Sequence, residues 1–400
     1  MGCTRTIKTV ICIVLCLSVG AFSFAQHEDY KRIQINENLQ TVLNDSTGKK
    51  IINQLDLLFL QIAKGSIDEN IISKPHKDLT IAVLNGLQGI KRFSNRSDSL
   101  NHYQKQLIKF YPISEHAYSV SVAILNTNTK GEPRALKTIL RLIAEDDNGR
   151  ITLSIPLKHM TKNWKSKKVG NITYVYSDTI QLERAHKFNT KNTVISKKLN
   201  VPTEQFKFYM CENYQEILRL LGYEYQLESA STYKLGYGVE EGYIFSIMNN
   251  EDFSHDVFHY YSGKIHVAKN RNWIAEEGIA CSWGNAYYVD KHGEMIELNR
   301  LVGELKDYLL KHNDRDLLGL FENNTKIFNH IDSDLSVRTV ISGVICNEIE
   351  HKKGIDGLIS IIKSGRTPNS LDAYFKVLDA LLGINTSTFN TEVKKLLENY

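Results

Sequence analysis

Little cysteine, no excess of one charge and a single long apolar run each close off a class of protein for this chain. Six cysteines are spread over 400 residues, and Cys3, Cys12 and Cys16 fall within the first 25. Cys211, Cys281 and Cys346 remain, an odd set without metal-type spacing. That is no disulfide scaffold, and the three read as buried small hydrophobes. The formal charge is +4, and loss of Arg5 and Lys8 with a leader lowers it to +2. No basic patch remains of the kind that nucleic acid or an anionic membrane surface demands. The one apolar run, Thr9 to Phe22, follows Arg5 and Lys8 and precedes Ser23-Phe24-Ala25. This is the layout of a secretory signal peptide over residues 1–25, too short for a spanning helix. Leu15 before Cys16 excludes a lipoprotein cleavage site. No second run of about 18 apolar residues follows, so a periplasmic or secreted protein with no stable membrane insertion is expected.

What is present is ordinary globular composition, with 42% hydrophobic and 24% charged residues. The length suggests two domains, an N-terminal one over 26–180 and a second over 181–400. Apolar residues recur at helical spacing from Ser46 to Gly65 and from Lys77 to Phe93. Four β-rich runs come next, Tyr118 to Leu125, Ala135 to Ala144, Ile151 to Leu157 and Ile172 to Tyr176, parted by turns such as Asp146-Asp147-Asn148-Gly149. Helices followed by strands predict an α+β domain with an antiparallel sheet packed on helices. That order resembles cystatin-like or nuclear-transport-factor-like cones. His116, His159 and His186 stand alone and read as surface or locally bonded histidines. The second half opens with a helix over Glu183 to Leu199, then a strand at Phe206 to Tyr209 and a helix from Tyr214 to Leu221 that Gly222 ends. Gly242 to Met248 is a strand broken by Asn249-Asn250-Glu251-Asp252. Beyond Gly278 the pattern is helical: Glu297 to Lys311, Arg315 to Phe321, Ser336 to His351, Ile355 to Ile362, Leu371 to Leu382 and Thr388 to Tyr400. A mixed sheet with a helical C-terminal lobe is expected.

The chemistry concentrates in His255-Asp256-Val257-Phe258-His259, followed by Trp273-Ile274-Ala275-Glu276-Glu277-Gly278-Ile279-Ala280. Histidines four apart share one helix face, so a single helix offers two imidazoles to one ion. A carboxylate from a second helix would complete a His, His, Glu zinc site whose fourth position stays open to water. The bare pair is weak, since 13 histidines in 400 positions give about 0.4 such pairs by chance. The preceding strand, the apolar helix and the downstream Glu-Glu-Gly lift it above that level.

These residues resemble the gluzincin zinc metallopeptidases, whose signature is a strand, an H-E-x-x-H helix and a W-x-x-E-G-x-A helix. The strand at Phe206, the Leu220-Leu221-Gly222 helix end, the helices after Ser336 and the closing segment after Leu382-Gly383 look like the peptidase MA-like branch. The likeness covers about residues 180 to 400 and is specific at two short motifs. It implies Zn2+ as cofactor, His255 and His259 as the first two ligands and Glu277 as the third. Glu276 then matches no ligand position and is a candidate to hydrogen-bond a ligating histidine. Asp256 occupies the general-base position, where the family has Glu. Asp is shorter by about 1.3–1.5 Å of reach, and a misplacement near 1 Å costs about 100-fold.

Three functions follow as expectations. The first is an exported peptidase that cuts peptide or protein substrates with zinc-activated water. The second is a catalytically impaired relative that binds zinc and a peptide or surface partner. The third is a structural envelope protein in which the His pair is incidental. The strand Gly242 to Met248 is expected to offer a sheet edge to an extended substrate. Among groups that would stabilise an oxyanion, His330 and His351 qualify by residue type alone. Tyr243, Tyr260, Tyr261, Tyr287 and Tyr288 read as core or rim.

Overall fold

The computed structural model describes residues 32–87, 103–127, 133–227, 236–312, 316–365 and 370–400. The leader expected over residues 1–25, the end of the helix expected to reach Phe93 and the start of the one expected from Arg315 lie outside the described residues. The fold is α+β. Two compact units form: residues 1–162 with 218–233, and residues 163–217 with 234–400.

In the first unit, β1 (Gln34–Ile35), α1 (Ser46–Lys64) and α2 (Lys77–Gly86) precede β2 (Gln104–Ser114), β3 (Ala117–Thr127), β4 (Pro133–Asp147) and β5 (Arg150–Ser154). Asp45 starts α1 by accepting from Thr47 and Gly48 N–H at 3.2 and 3.1 Å, and Gly65 ends it at φ 77°. Ile51, Ile52, Leu55, Leu58, Phe59 and Ile62 recur every three to four residues along α1 and are buried. The sheet runs β1-β2-β3-β4-β5, and β9 (Tyr223–Gln226) adds to the far end of β4. Tyr223 faces Leu140 there, so the chain returns to this sheet after leaving it.

The second unit holds a mixed sheet of β6 (Lys165–Val169), β7 (Ile172–Tyr176), β8 (Phe206–Met210), β10 (Gly236–Glu240) and β11 (Tyr243–Ser246). The order is β10-β11-β8-β7-β6; β7, β8 and β11 run parallel, and β6 and β10 are antiparallel edges. β7 pairs with β8, Ile172 against Phe206, so this strand and the chain from residue 163 belong to the second unit rather than to the first. α3 (Leu182–Lys198) connects β7 to β8, as a parallel pair requires. Phe208 is the hinge of the packing: its ring meets Tyr174, Phe188 of α3 and Phe253 at 5.2, 5.9 and 6.0 Å. β11 is paired on both sides, so the sheet edge expected at Gly242 to Met248 lies at β10 instead.

Further helices are α4 (Tyr214–Leu220), α5 (Ser254–Ile265), α6 (Trp273–Trp283), α7 (Leu298–His312), α8 (Leu317–Glu322), α9 (Val337–Ile362), α10 (Ser370–Leu382) and α11 (Phe389–Asn399), with a single turn at Leu157–Met160. Gly354, at φ 65°, breaks α9 where the sequence separates two helices. α6 is apolar nearly all round, the pattern of a central buried helix, and its close neighbour is α9. Gly278 makes that approach possible, because a Cβ there would meet Ser342 Oγ at 2.4 Å. Cys211, Cys281 and Cys346 are free and buried. Among the described residues, no helix is long and apolar enough to cross a membrane.

Candidate metal centre

Two helix starts set the site. The loop before α5 is wired through its own polar side chains: Asn250 Oδ1 accepts from Asp252 N–H at 2.8 Å, and Asp252 Oδ1 from Ser254 N–H at 2.9 Å. These Asx turns stop β11 and launch the helix that carries both histidines. α6 begins at Asn272, whose Oδ1 accepts from Ile274 N–H at 3.1 Å. Its amide nitrogen donates to the carbonyls of Gly365 and Ser370 at 3.0 and 2.7 Å. Lys191 of α3 ties the two helices together. It donates to Asp252 Oδ2 at 3.0 Å, to the Gly284 carbonyl at the end of α6 at 2.6 Å, and to Glu297 at 3.1 Å.

On that frame His255 and His259 turn their Nε2 atoms toward each other at 3.2 Å. Glu277 straddles them, Oε2 lying 3.4 Å from His255 Nε2 and Oε1 3.3 Å from His259 Nε2. A tetrahedral ion with bonds of about 2.0–2.1 Å needs donors about 3.3 Å apart, so these three side chains have the spacing of a zinc ligand set. The outer ring nitrogens are held as well. His255 Nδ1 is 2.8 Å from the Asn285 carbonyl, which can only accept, so the proton sits on Nδ1 and Nε2 presents its lone pair. His259 Nδ1 is 3.4 Å from Glu276, whose carboxylate also takes a salt bridge from Arg271. Glu276 thus supports the ring from behind and faces away from the donor triangle.

Charge and burial act strongly here. Burial works against a charged His259, but Glu276 and Glu277 outweigh it and push the imidazole up to about 10. The same burial would raise Glu277, yet the two histidines hold it well below the usual carboxylate range. Glu276 is lowered likewise by His259 and Arg271 against burial. Asp256 goes the other way: burial raises its carboxyl, the neighbouring imidazoles oppose this, and Glu277 adds to it. A carboxylate oxygen of Asp256 lies within 4.8 Å of a ring nitrogen of each histidine, so these three side chains form a group that could hold a metal ion.

The centre opens into a cavity of about 270 Å3 whose walls include His255, Asp256, His259, Glu277, Tyr287 and Asp334. Asn285, fully buried, organises one side. Besides accepting from His255, it donates to Ser254 Oγ at 3.0 Å, and its Oδ1 accepts from Tyr287 N–H at 2.8 Å. Tyr287 stands at φ 71°, a conformation that costs a bulky residue about 1–3 kcal/mol and persists only where its surroundings impose it. Burial, then the charge of Asp256, pushes its phenol up, so it stays protonated.

Neither His330 nor His351 lines this cavity; His330 instead pairs with Glu304 at 3.1 Å. His116 and His159 lie in the other unit beside glutamates, at 3.9 Å from Glu115 and 3.5 Å from Glu145. Sequence reasoning had no signal for Asn285, which works through its backbone carbonyl, nor for Lys191, which lies 64 positions before His255. No protein-family model, no curated protein and no solved structure matches the chain.

Proposed function

We propose that the chain is an exported zinc-dependent peptidase of gluzincin type, hydrolysing peptide bonds with Asp256 as general base. The observation that carries this reading is the donor triangle: two Nε2 atoms 3.2 Å apart with the Glu277 carboxylate at 3.3–3.4 Å from both. The residues fit the ion in chemistry too, since Nδ1 of His255 is engaged by a carbonyl and Nδ1 of His259 by a carboxylate. His255, His259 and Glu277 would hold a zinc ion, which would supply Lewis acidity and an acidified water there. Asp256 would be the residue that accepts a proton from the attacking water and returns it to the leaving amine. Burial raises its carboxyl, the direction that favours proton uptake. The β10 edge, close to α5, gives an extended peptide a backbone to pair with. Export, to the periplasm or beyond, rests on the leader-like residues 1–25.

One observation favours a second reading. Asp256 reaches about 1.3–1.5 Å less far than Glu, which suits a relative that binds zinc and a peptide or surface partner with little or no turnover. One experiment separates the two. Protein purified without added metal is assayed for zinc, and a broad fluorogenic peptide library is screened across pH. Stoichiometric zinc that His255→Ala abolishes, with cleavage that Asp256→Ala abolishes while zinc stays bound, supports the peptidase. Zinc without cleavage, and cleavage switched on by Asp256→Glu, supports the impaired relative. No zinc in the native chain sinks both.

A further inference from the structure

Five tyrosines lie near the site in sequence, and their surroundings divide them. Tyr261 spends its hydroxyl on Asn192 Oδ1 and on Glu204 N–H, each at 2.8 Å. Tyr288 is hydrogen-bonded to Asp332. Tyr260 has the Lys264 ammonium 4.5 Å from its ring centre, and Tyr243 stacks on Tyr209 within the sheet. Tyr287 alone of the five both lines the cavity and has, among the described residues, no hydrogen-bond partner for its hydroxyl.

Its placement is enforced. Ala286 N–H donates to the Ile296 carbonyl at 2.8 Å, and Ile296 N–H to the Tyr288 carbonyl at 2.9 Å, so both flanking residues are pinned to one partner. Tyr287 bulges out between them, its N–H taken by Asn285. The ring then packs against Phe253 and His255, both at 5.7 Å between centres. A residue kept at positive φ, with an unpaired donor, that lines a cavity shared with Asp256 and three ligand-type side chains has the features of a group reserved for a bound molecule.

We propose that Tyr287 is a further catalytic residue, donating its phenolic hydrogen to the carbonyl oxygen of a substrate held between the His255–His259–Glu277 donors and the cavity wall. This rests on the peptidase reading. No covalent step is involved: the hydroxyl keeps its proton and its hydrogen bond strengthens as negative charge gathers on that oxygen. Such a donor acts on the transition state more than on the bound substrate, so it changes kcat and leaves KM nearly alone.

The test compares the zinc-loaded native chain with Tyr287→Phe, and with Tyr260→Phe as a neighbour outside the cavity. Three quantities are read: zinc stoichiometry, peptide kinetics, and calorimetric affinity for acetohydroxamate, a small zinc chelator with oxygens that accept hydrogen bonds. Tyr287→Phe is expected to keep one zinc, to lose about 100-fold or more in kcat at similar KM, and to bind acetohydroxamate about 10-fold more weakly. Tyr260→Phe should match the native chain in all three. Equal acetohydroxamate affinity in the native chain and Tyr287→Phe overturns the inference whether or not a peptide is cut, as does undiminished kcat. A native chain that binds no zinc overturns the peptidase reading and this inference with it.

Discussion

The Nε2 atoms of His255 and His259 lie 3.2 Å apart, a distance at which two lone pairs repel unless one proton or one cation sits between them. His255 is protonated on Nδ1 by its bond to the Asn285 carbonyl, so in the metal-free protein the shared proton belongs to His259. On the proposed reading, that proton and a zinc ion would compete for one position.

Zinc binding at pH 7 is therefore expected to release about one proton per ion, because the ligand must be neutral and His259 is pushed up to about 10. Calorimetry in buffers of different ionisation enthalpy measures the count. A count near zero would mean that His259 is already neutral, and the assignment would fail.

The stability of the metal-free protein should follow the same groups. His259 stands above its ordinary 6.5, so its contribution is fully present below about 6.5 and is lost as pH rises through about 10. Glu277 is held below its ordinary 4.5, so its contribution is present above that value and disappears as pH falls through the lowered one. Melting temperature without metal should thus be highest between about 4.5 and 6.5 and decline toward pH 10, more steeply than in His259→Gln. Parallel curves for the two proteins would contradict this.

How much of this was legible in the sequence depends on whether a feature is local. The histidine pair and the Glu-Glu-Gly segment are set by helical periodicity, and both lie on the helices expected for them. Helix starts at Asp45 and Asn272 likewise follow from short-range capping. β6, Lys-Ser-Lys-Lys-Val, was not legible, because an exposed edge strand has no apolar alternation to display. β7 reads as part of the N-terminal domain because it follows those strands in the chain, yet its partner β8 lies beyond α3. β9 is short and returns to the first sheet through pairing with β4, which no local pattern encodes. Tyr287 matters for its backbone angle and its neighbours, and neither can be read from its position in the chain.

Lys191→Met offers a test of the link between the ligand helices. The Lys191 side chain is 16% exposed and that of Asp252 3%, so removing the lysine leaves a buried carboxylate without its cation. Such a loss costs about 3–5 kcal/mol. It also frees the Asx turn before α5 and the Gly284 carbonyl at the end of α6. Both urea midpoint and zinc affinity should fall, and restoring Glu297 contacts alone should not repair them. A variant with native zinc affinity would show that Lys191 stabilises the fold without setting the site.

Gly278→Ala decides whether packing of α6 on α9 or helix propensity governs the position of Glu277. Propensity alone predicts a gain of about 1 kcal/mol for replacing a helical glycine by alanine. Packing predicts the opposite, because the new Cβ would meet Ser342 Oγ at 2.4 Å and the Ser342 backbone carbon at 2.7 Å. A hydroxyl can rotate away, but a backbone carbon moves only with its helix. Overpacking of this kind costs about 1–3 kcal/mol, so a net loss is expected in the urea midpoint. Any shift of α6 also moves Glu277, the neighbouring residue, away from the two imidazoles, so zinc affinity should drop with stability. Adding Ser342→Gly removes the Oγ contact and leaves the backbone one, and should restore only part of both losses. A full rescue, or a more stable Gly278→Ala protein, would show that the helices have room to part and that the glycine is not what sets the approach of α6 to α9.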